Sequence, residues 1–288
     1  MAETGRLTAT SARTIPGIGT VTLLRIAIIA VALLVWELLS ASGWLYKDVV
    51  PSLIAIAKAL FNLLTTRVMA CRADIALTDA IHLRWELWMP EFYCHLGRTA
   101  REIGLALFIG GGLGLLIGLV LGANRFLSRA FEPIVYYLGP TPKIIFFPLM
   151  IMWFGLGPGS KIAMGAISCF FPVALSAAAG VRQIDKVLIR VGKSFRANAW
   201  QTTTKIYLPA MRAAIINGLR LGLGIALIGT LLAETKLSNF GIGSLIIQAY
   251  SLFDMPRMYA TLIVLFVLAI GVNSLISRMG HIDPIRSR

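Results

Sequence analysis

Acidic side chains are scarce in this chain. Only 13 Asp and Glu stand against 27 Lys and Arg, and charged residues of both signs make up just 14% of the 288 positions. A soluble domain usually carries about 25% charged residues, so there is too little polar chain here to surround a soluble core. The three cysteines, Cys71, Cys94 and Cys169, show no CxxC spacing, which excludes a thiolate metal site or a dithiol redox motif. The three histidines, His82, His95 and His281, fall outside the apolar runs and lack ligand spacing, so neither a metal nor another cofactor is expected. An intramembrane serine protease built on Ser160, which follows Gly159, would need a histidine at membrane depth as its base, and the apolar runs contain none. Gly192-Lys193-Ser194 resembles the end of a phosphate-binding loop, but that loop needs a glycine where Val187 stands. No catalytic residue is expected, and ATP binding is assigned to a different chain.

Apolar residues fill the space left by charge: 57% of the chain is hydrophobic and the mean hydropathy is +0.80. They are gathered into runs of roughly 20 residues, the length a helix needs to cross about 30 Å of hydrocarbon. Six spans are expected, at 23–42, 99–122, 133–155, 161–181, 214–234 and 259–279, which makes the fold an all-α polytopic membrane protein. The first run, with Arg6, Arg13 and Arg25 before it, has features of a secretory leader. It is longer than such leaders and is interrupted by Trp36-Glu37, so it is expected to be an uncleaved first span.

The net charge of +14 does not suggest nucleic acid, because the basic residues lie between apolar runs rather than on a face interleaved with aromatics. They indicate orientation instead. Arg125 and Arg129, then Arg182 to Arg212, and finally Arg278, Arg286 and Arg288 fall on the same side as the N-terminal arginines, so both termini are expected in the cytoplasm. Residues 1–22 would form a cytoplasmic tail ahead of a permeating domain over 23–288, with 43–98 outside and 182–213 inside.

Within 43–98, Pro51 to Leu64 has helical apolar spacing and is expected to lie along the membrane surface, in contact with lipid. Cys71 and Cys94 share that compartment and are candidates for a disulfide. The second span carries Gly110, Gly114, Gly118 and Gly122 at four-residue spacing, which lets another helix approach closely, either within the subunit or across a dimer. The third span is interrupted by Pro133, Pro140, Pro142 and Pro148, and Lys143 sits in the interruption. Broken backbone is tolerated at membrane depth only beside protein or a water-filled cavity, so this segment is the candidate pathway lining. Glu234, at the end of the fifth span, and Lys143 are the ionisable residues that an ion-coupled secondary transporter would need, but each looks isolated and no internal repeat is visible.

The loop over 182–213 is long and basic, with apolar residues Val191, Phe195, Ala199 and Ile206 arranged to give one apolar side of a short helix. It closes on Ile206-Tyr207-Leu208-Pro209. This pattern resembles the signature loop of ABC importer permeases, in register at Ile206, Leu208 and Pro209. Gly192-Lys193-Ser194-Phe195 and Trp200-Gln201 look like the variant of the nitrate/taurine/sulfonate type. Arg190 replaces the general pattern's glutamate, and Arg196 stands where the family has its central glycine. Trp36-Glu37, Pro51-Ser52, Pro142-Lys143 through Pro148, Trp153 to Gly157, Phe171-Pro172, Gly218-Leu219-Arg220, Ala233-Glu234 and Gly241-Ile242-Gly243 follow in the family's order. The stretch 65–95 is longer than the family pattern.

The resemblance implies the type I importer permease fold, seated in the bacterial inner membrane. It also implies a partner set: two ABC ATPase subunits, an extracytoplasmic solute-binding protein and a second permease, as a homodimer. The ATPase-coupling segment would be 190–206, with Arg190, Gly192, Phe195, Arg196, Trp200, Gln201, Ile206, Leu208 and Pro209 as its signature residues. The pathway candidates are Pro142, Lys143, Pro148, Trp153, Arg220 and Glu234. The solute would be a small anion of the sulfonate, taurine or nitrate kind, or an uncharged precursor.

Overall fold

The computed structural model describes residues 20–43, 49–66, 91–237 and 240–281. The expected cytoplasmic tail up to residue 19, and most of the 65–95 stretch, lie outside them. Every regular element among the described residues is helical: α1 (Thr20–Ser42), α2 (Leu53–Thr65), α3 (Glu91–Ala123), α4 (Arg125–Leu138), α5 (Phe147–Phe154), α6 (Pro158–Arg182), α7 (Lys186–Ser194), α8 (Ala199–Thr202), α9 (Arg212–Leu237), α10 (Ile242–Ser251) and α11 (Met255–His281). Among them α1, α3, α6, α9 and α11 are long and apolar enough to cross a membrane. A bent pair, α4 with α5, brings the number to six when it is counted as one broken span.

The chain divides into two units, the first ending at Leu53 and the second running from Ile54. In the first, the Trp36 indole donates to the Pro51 carbonyl (3.0 Å) and Glu37 Oε2 accepts from the backbone N–H of Leu53 (3.1 Å). The charged residue that interrupts the first apolar run therefore satisfies one of the orphan N–H groups at the start of α2.

The second unit is built around α6. On one face it runs parallel to α3, whose four spaced glycines meet Ala166, Phe170, Ala174 and Val181 in turn. A Cβ at Gly114 would fall 2.6 Å from the Phe170 carbonyl oxygen, and one at Gly122 would fall 2.6 Å from Val181 Cβ. The stripe is thus used within the subunit, which decides between the two uses the sequence leaves open. On its other face α6 meets α9, running antiparallel: Gly165 faces Thr230, Gly222 faces Cys169, and Gly180 faces Ala214. Dispersion between closely approaching backbones holds such helices together, since lipid supplies no hydrophobic drive.

Two span boundaries differ from expectation. The helix of the second span begins at Glu91 rather than near 99, because one side of its polar first turns, Phe92, His95, Thr99 and Glu102, is buried. The third is a right-angled element: α4 and the 3-10 turn Lys143–Phe146 leading into α5 meet at 92°. Cys94, on α3, is disulfide-bonded. Cys71, the partner expected for it, lies outside the described residues, and Cys169 is free and buried between α3, α6 and α9.

Candidate functional site

The signature loop occupies the end of the bundle where α6 stops and α9 begins. Asp185 caps α7 by accepting from the Val187 N–H (2.8 Å). The helix then ends at a left-handed residue, Arg196 (φ +51). The Arg196 N–H reaches the Lys193 carbonyl (2.9 Å) and the Ala197 N–H reaches Gly192 (3.0 Å). That pair of bonds is a Schellman motif, normally completed by glycine. Arginine makes the same turn at a conformational cost of about 1 kcal/mol. The missing glycine therefore does not prevent a tight turn.

Asn198 and Gln201 then form a reciprocal capping box for α8, with bonds of 2.8 and 3.1 Å. A π-helical stretch, Thr203–Tyr207, carries the chain into a last turn, Leu208–Ala210, with Pro209 inside it. Gly192 is buried, with the tip of the Ile206 side chain lying on it, so a Cβ there would push that tip aside. Leu208 and Tyr207 pack on Leu119, Ala177, Val181 and Met211. The expected single apolar face over Val191 to Ile206 is accordingly broken at 195–198. Tyr207 and Leu208 seat the loop on the bundle and Ile206 closes it onto α7, while Phe195 (84% exposed) and Trp200 (75% exposed) point away from it. Val187 and Val191 continue the exposed stripe on α7, flanked by exposed Arg190 and Arg196.

The pathway candidates do not form one site. Pro142 precedes the 3-10 turn, Pro148 lies in the first turn of α5, and Trp153 is exposed near its end. The Lys143 ammonium donates to the Gly139 carbonyl freed by the break and lies 5.2 Å from the centre of the Phe171 ring. It finds the partner that a lysine in this position requires. Arg220 is exposed on α9 and bonds Asn273 of α11 (3.0 Å).

Glu234 is neither isolated nor exposed. It is fully buried at the opposite end of the bundle, where Thr99 donates to one carboxylate oxygen (2.6 Å) and the Gly243 N–H to the other (2.7 Å). Thr99 in turn accepts from the Ile242 N–H (2.9 Å), and His95 Nδ1 accepts from the Gly241 N–H (2.9 Å). Three backbone donors at the start of α10 are thus met by side chains of α3 and α9. Gly241 sits at φ +107, and a Cβ on it would collide with the Glu234 carboxylate. Beside this clasp, Lys161 of α6 pairs with Glu102 of α3 at 3.3 Å. His95, Thr99 and Glu102 line one face of α3, at and just before the start of its expected apolar run. Their spacing of four and three residues was the available signal. No group of three or more metal-ligating side chains occurs among the described residues. The Ser160 hydroxyl is engaged by the Gly157 carbonyl (3.1 Å).

Residues 110–284 match the family model of the binding-protein-dependent transport system inner membrane component. The chain is 30% identical over 228 residues to the putative aliphatic sulfonates transport permease protein SsuC of Bacillus subtilis, covering 78% of this chain and 81% of that one. It is 32% identical over 189 residues to the taurine transport system permease protein TauC of Escherichia coli, covering 64% and 69%. Among solved structures, the inward-facing MetNI methionine ABC transporter shares the fold. Its TM-score is 0.54 at 20% identity, over 64% of this chain and 94% of that chain. The helical bundle, the loop and these matches agree: the chain belongs to the binding-protein-dependent inner membrane components, as an ABC importer permease of the sulfonate, taurine and nitrate type.

Proposed function

We propose that this permease moves a small anionic solute of the sulfonate, taurine or nitrate kind, delivered by an extracytoplasmic binding protein, and that two ATPase chains drive it through α7 and α8. The observation that carries the proposal is the exposure of Phe195 and Trp200 on a loop whose two short helices, α7 and α8, are each capped by side chains. Burying one such aromatic side chain is worth about 1.5–3 kcal/mol, and a helix face in a groove is the usual way to bury it. The flanking Arg190 and Arg196 suit an acidic rim on the partner. Because Leu208 and Met211 fix the loop to α3 and α6, a displacement of Trp200 would be passed to the spans rather than absorbed.

The mechanism needs only that ATP bind more tightly to one arrangement of the ATPase pair than to the other. Closure of that pair would move α7 and α8 and open the pathway outward; hydrolysis would reverse it. A second copy of the permease would complete the pathway. Lys143 and Arg220 are the cations available to attract an anion, and the names of the sulfonate and taurine relatives favour that class. The basic connections support cytoplasmic termini, with 43–98 outside and 182–213 inside.

A fourth cysteine tests this arrangement, introduced as Trp200→Cys and read against the labelling of the parent chain with its Cys71, Cys94 and Cys169. The thiol should be labelled only from the cytoplasmic side and should cross-link to an ATPase chain in the assembled transporter. Labelling by an impermeant reagent from outside would overturn the orientation and the drive mechanism together.

A further inference from the structure

The outer surface of α3 shows what a lipid-facing helix of this bundle looks like: between Gly104 and Val120 every exposed residue is apolar or glycine. Helix α9 departs from that pattern. Arg220 lies eight residues after Arg212, about 12 Å along the helix and well inside a candidate span of 25 residues, yet it is exposed. Asn217, one turn before it on the same face, is exposed too. A guanidinium at that depth is costly against hydrocarbon, so it needs water, an ion or a polar partner.

The side chain does not escape to the membrane surface. Its Nε donates to Asn273 Oδ1 (3.0 Å), and Asn273 lies eight residues before the end of α11, about 12 Å in. That bond holds the guanidinium at the depth of Asn273. Among the described residues, the two terminal nitrogens of Arg220 and the amide nitrogen of Asn273 meet no acceptor. Helix α11 carries no Asp or Glu, and the one acid of α9, Glu234, is buried 14 residues further on. Other cations that reach into the bundle are engaged: Lys161 pairs with Glu102, Arg98 lies over the Phe240 ring, and Lys143 is held by the Gly139 carbonyl and the Phe171 ring. What remains at Arg220 is a set of donors without an acceptor, and an oxyanion is the ligand that completes it.

We infer that Arg220, held in place by Asn273, is an oxyanion-binding site on a water-facing side of α9 and α11. Its two terminal nitrogens form a fork that takes two oxygens of one centre, as in a sulfonate or nitrate group. The Asn273 amide adds a neutral donor beside them. The assignment rests on the reading that this chain moves a small anion, and it gives the contact to Arg220 rather than to Lys143. A phospholipid phosphate offers the same oxygens, and the experiment separates the two sources.

Gly224 lies one turn beyond Arg220 on the same exposed face, and a Cβ there meets nothing within 4 Å. In the assembled transporter in lipid nanodiscs, the thiol of Gly224→Cys should react with methanethiosulfonate ethylsulfonate, after subtraction of the parent chain. The ratio of that rate to the rate of the cationic ethyltrimethylammonium reagent should exceed the ratio on free cysteine by about fivefold, the bias that one guanidinium a helical turn away gives in water. Added Arg220→Gln should return the ratio to the free-thiol value, and Arg220→Lys should restore it. Methanesulfonate should slow the anionic reagent more than chloride does at equal ionic strength. Reaction with neither reagent would overturn the inference, leaving this face in lipid and a headgroup phosphate as the partner of Arg220. The free-thiol ratio in the chain that keeps Arg220 would also overturn it, whether or not Arg220→Gln folds. No readout here uses ATP hydrolysis or the cross-link at position 200, so the drive mechanism and the anion site can fail separately.

Discussion

The two ends of the bundle distribute charge and apolar surface in opposite ways. At the α10 end Glu102, Lys161 and Glu234 are buried, Glu102 paired with Lys161 through Oε1 and Glu234 held by Thr99 and Gly243, and the nearby apolar residues Leu63, Phe92, Leu245 and Ala260 are covered. At the α7–α8 end, Arg190, Lys193 and Arg196 are exposed, and so are Phe195 and Trp200. The first end spends its polar groups on holding four helices together. The second holds itself together with backbone caps and leaves its side chains for something else. Stability and docking are separated along the axis of one small protein, so substitutions at the two ends should fail differently.

Glu234→Ala should have the largest effect on stability. It leaves the Thr99 hydroxyl and the Gly243 N–H without an acceptor and removes a neighbour of Lys161 in a fully buried place. Breaking such an arrangement from one side costs about 3–5 kcal/mol. Thermal unfolding of the purified permease should show a large drop in midpoint, with little assembled transporter recovered. An unchanged midpoint would mean that the α10 end is not the clasp its hydrogen bonds describe.

The ends also differ in how far the sequence reveals them. The spans are legible because hydrocarbon thickness sets their length, and the glycine stripe is legible because four-residue spacing lines one helix face; its partner, α6, was not. The clasp was hidden by its own charge. Glu91, His95, Arg98, Arg101 and Glu102 make the first turns of α3 resemble an interfacial segment, and only tertiary partners bury the side of those turns that carries His95 and Glu102. Glu234 seemed isolated because Thr99 and Glu102 lie more than 130 positions away in the chain. At the other end, the aromatic residues and the closing Leu208-Pro209 could be read directly, but the division of labour could not. Ile206 and Phe195 look alike as apolar residues, and only the turn at Arg196 sends one inward and the other outward.

That turn gives a smaller effect of opposite sign. Arg196→Gly removes the cost of holding a side chain at positive φ and should stabilise the loop by about 1 kcal/mol. Thermal unfolding would register a modest rise in midpoint, and hydrogen exchange would show stronger protection at Ala197, whose N–H closes the motif. A lower midpoint would show that the arginine side chain contributes more to this end than its exposure suggests.

The smallest effect on stability belongs to the residues with the most exposed rings. Phe195→Asp and Trp200→Asp remove apolar surface that touches little of the bundle and leave the caps at Asp185, Asn198 and Gln201 intact. Exposed substitutions of this kind usually change stability by no more than about 0.5 kcal/mol. If the surface exists for a partner, the same two changes should abolish stimulation of ATP hydrolysis by the loaded binding protein while the permease still inserts and unfolds at its normal temperature. Leu208→Asp is the informative contrast, because Leu208 lies against Leu119 and Met211. It should lower the unfolding midpoint and coupling together, whereas Trp200→Asp lowers coupling alone. Normal coupled hydrolysis in Trp200→Asp would show that the contrast between the ends concerns membrane lipid rather than an ATPase.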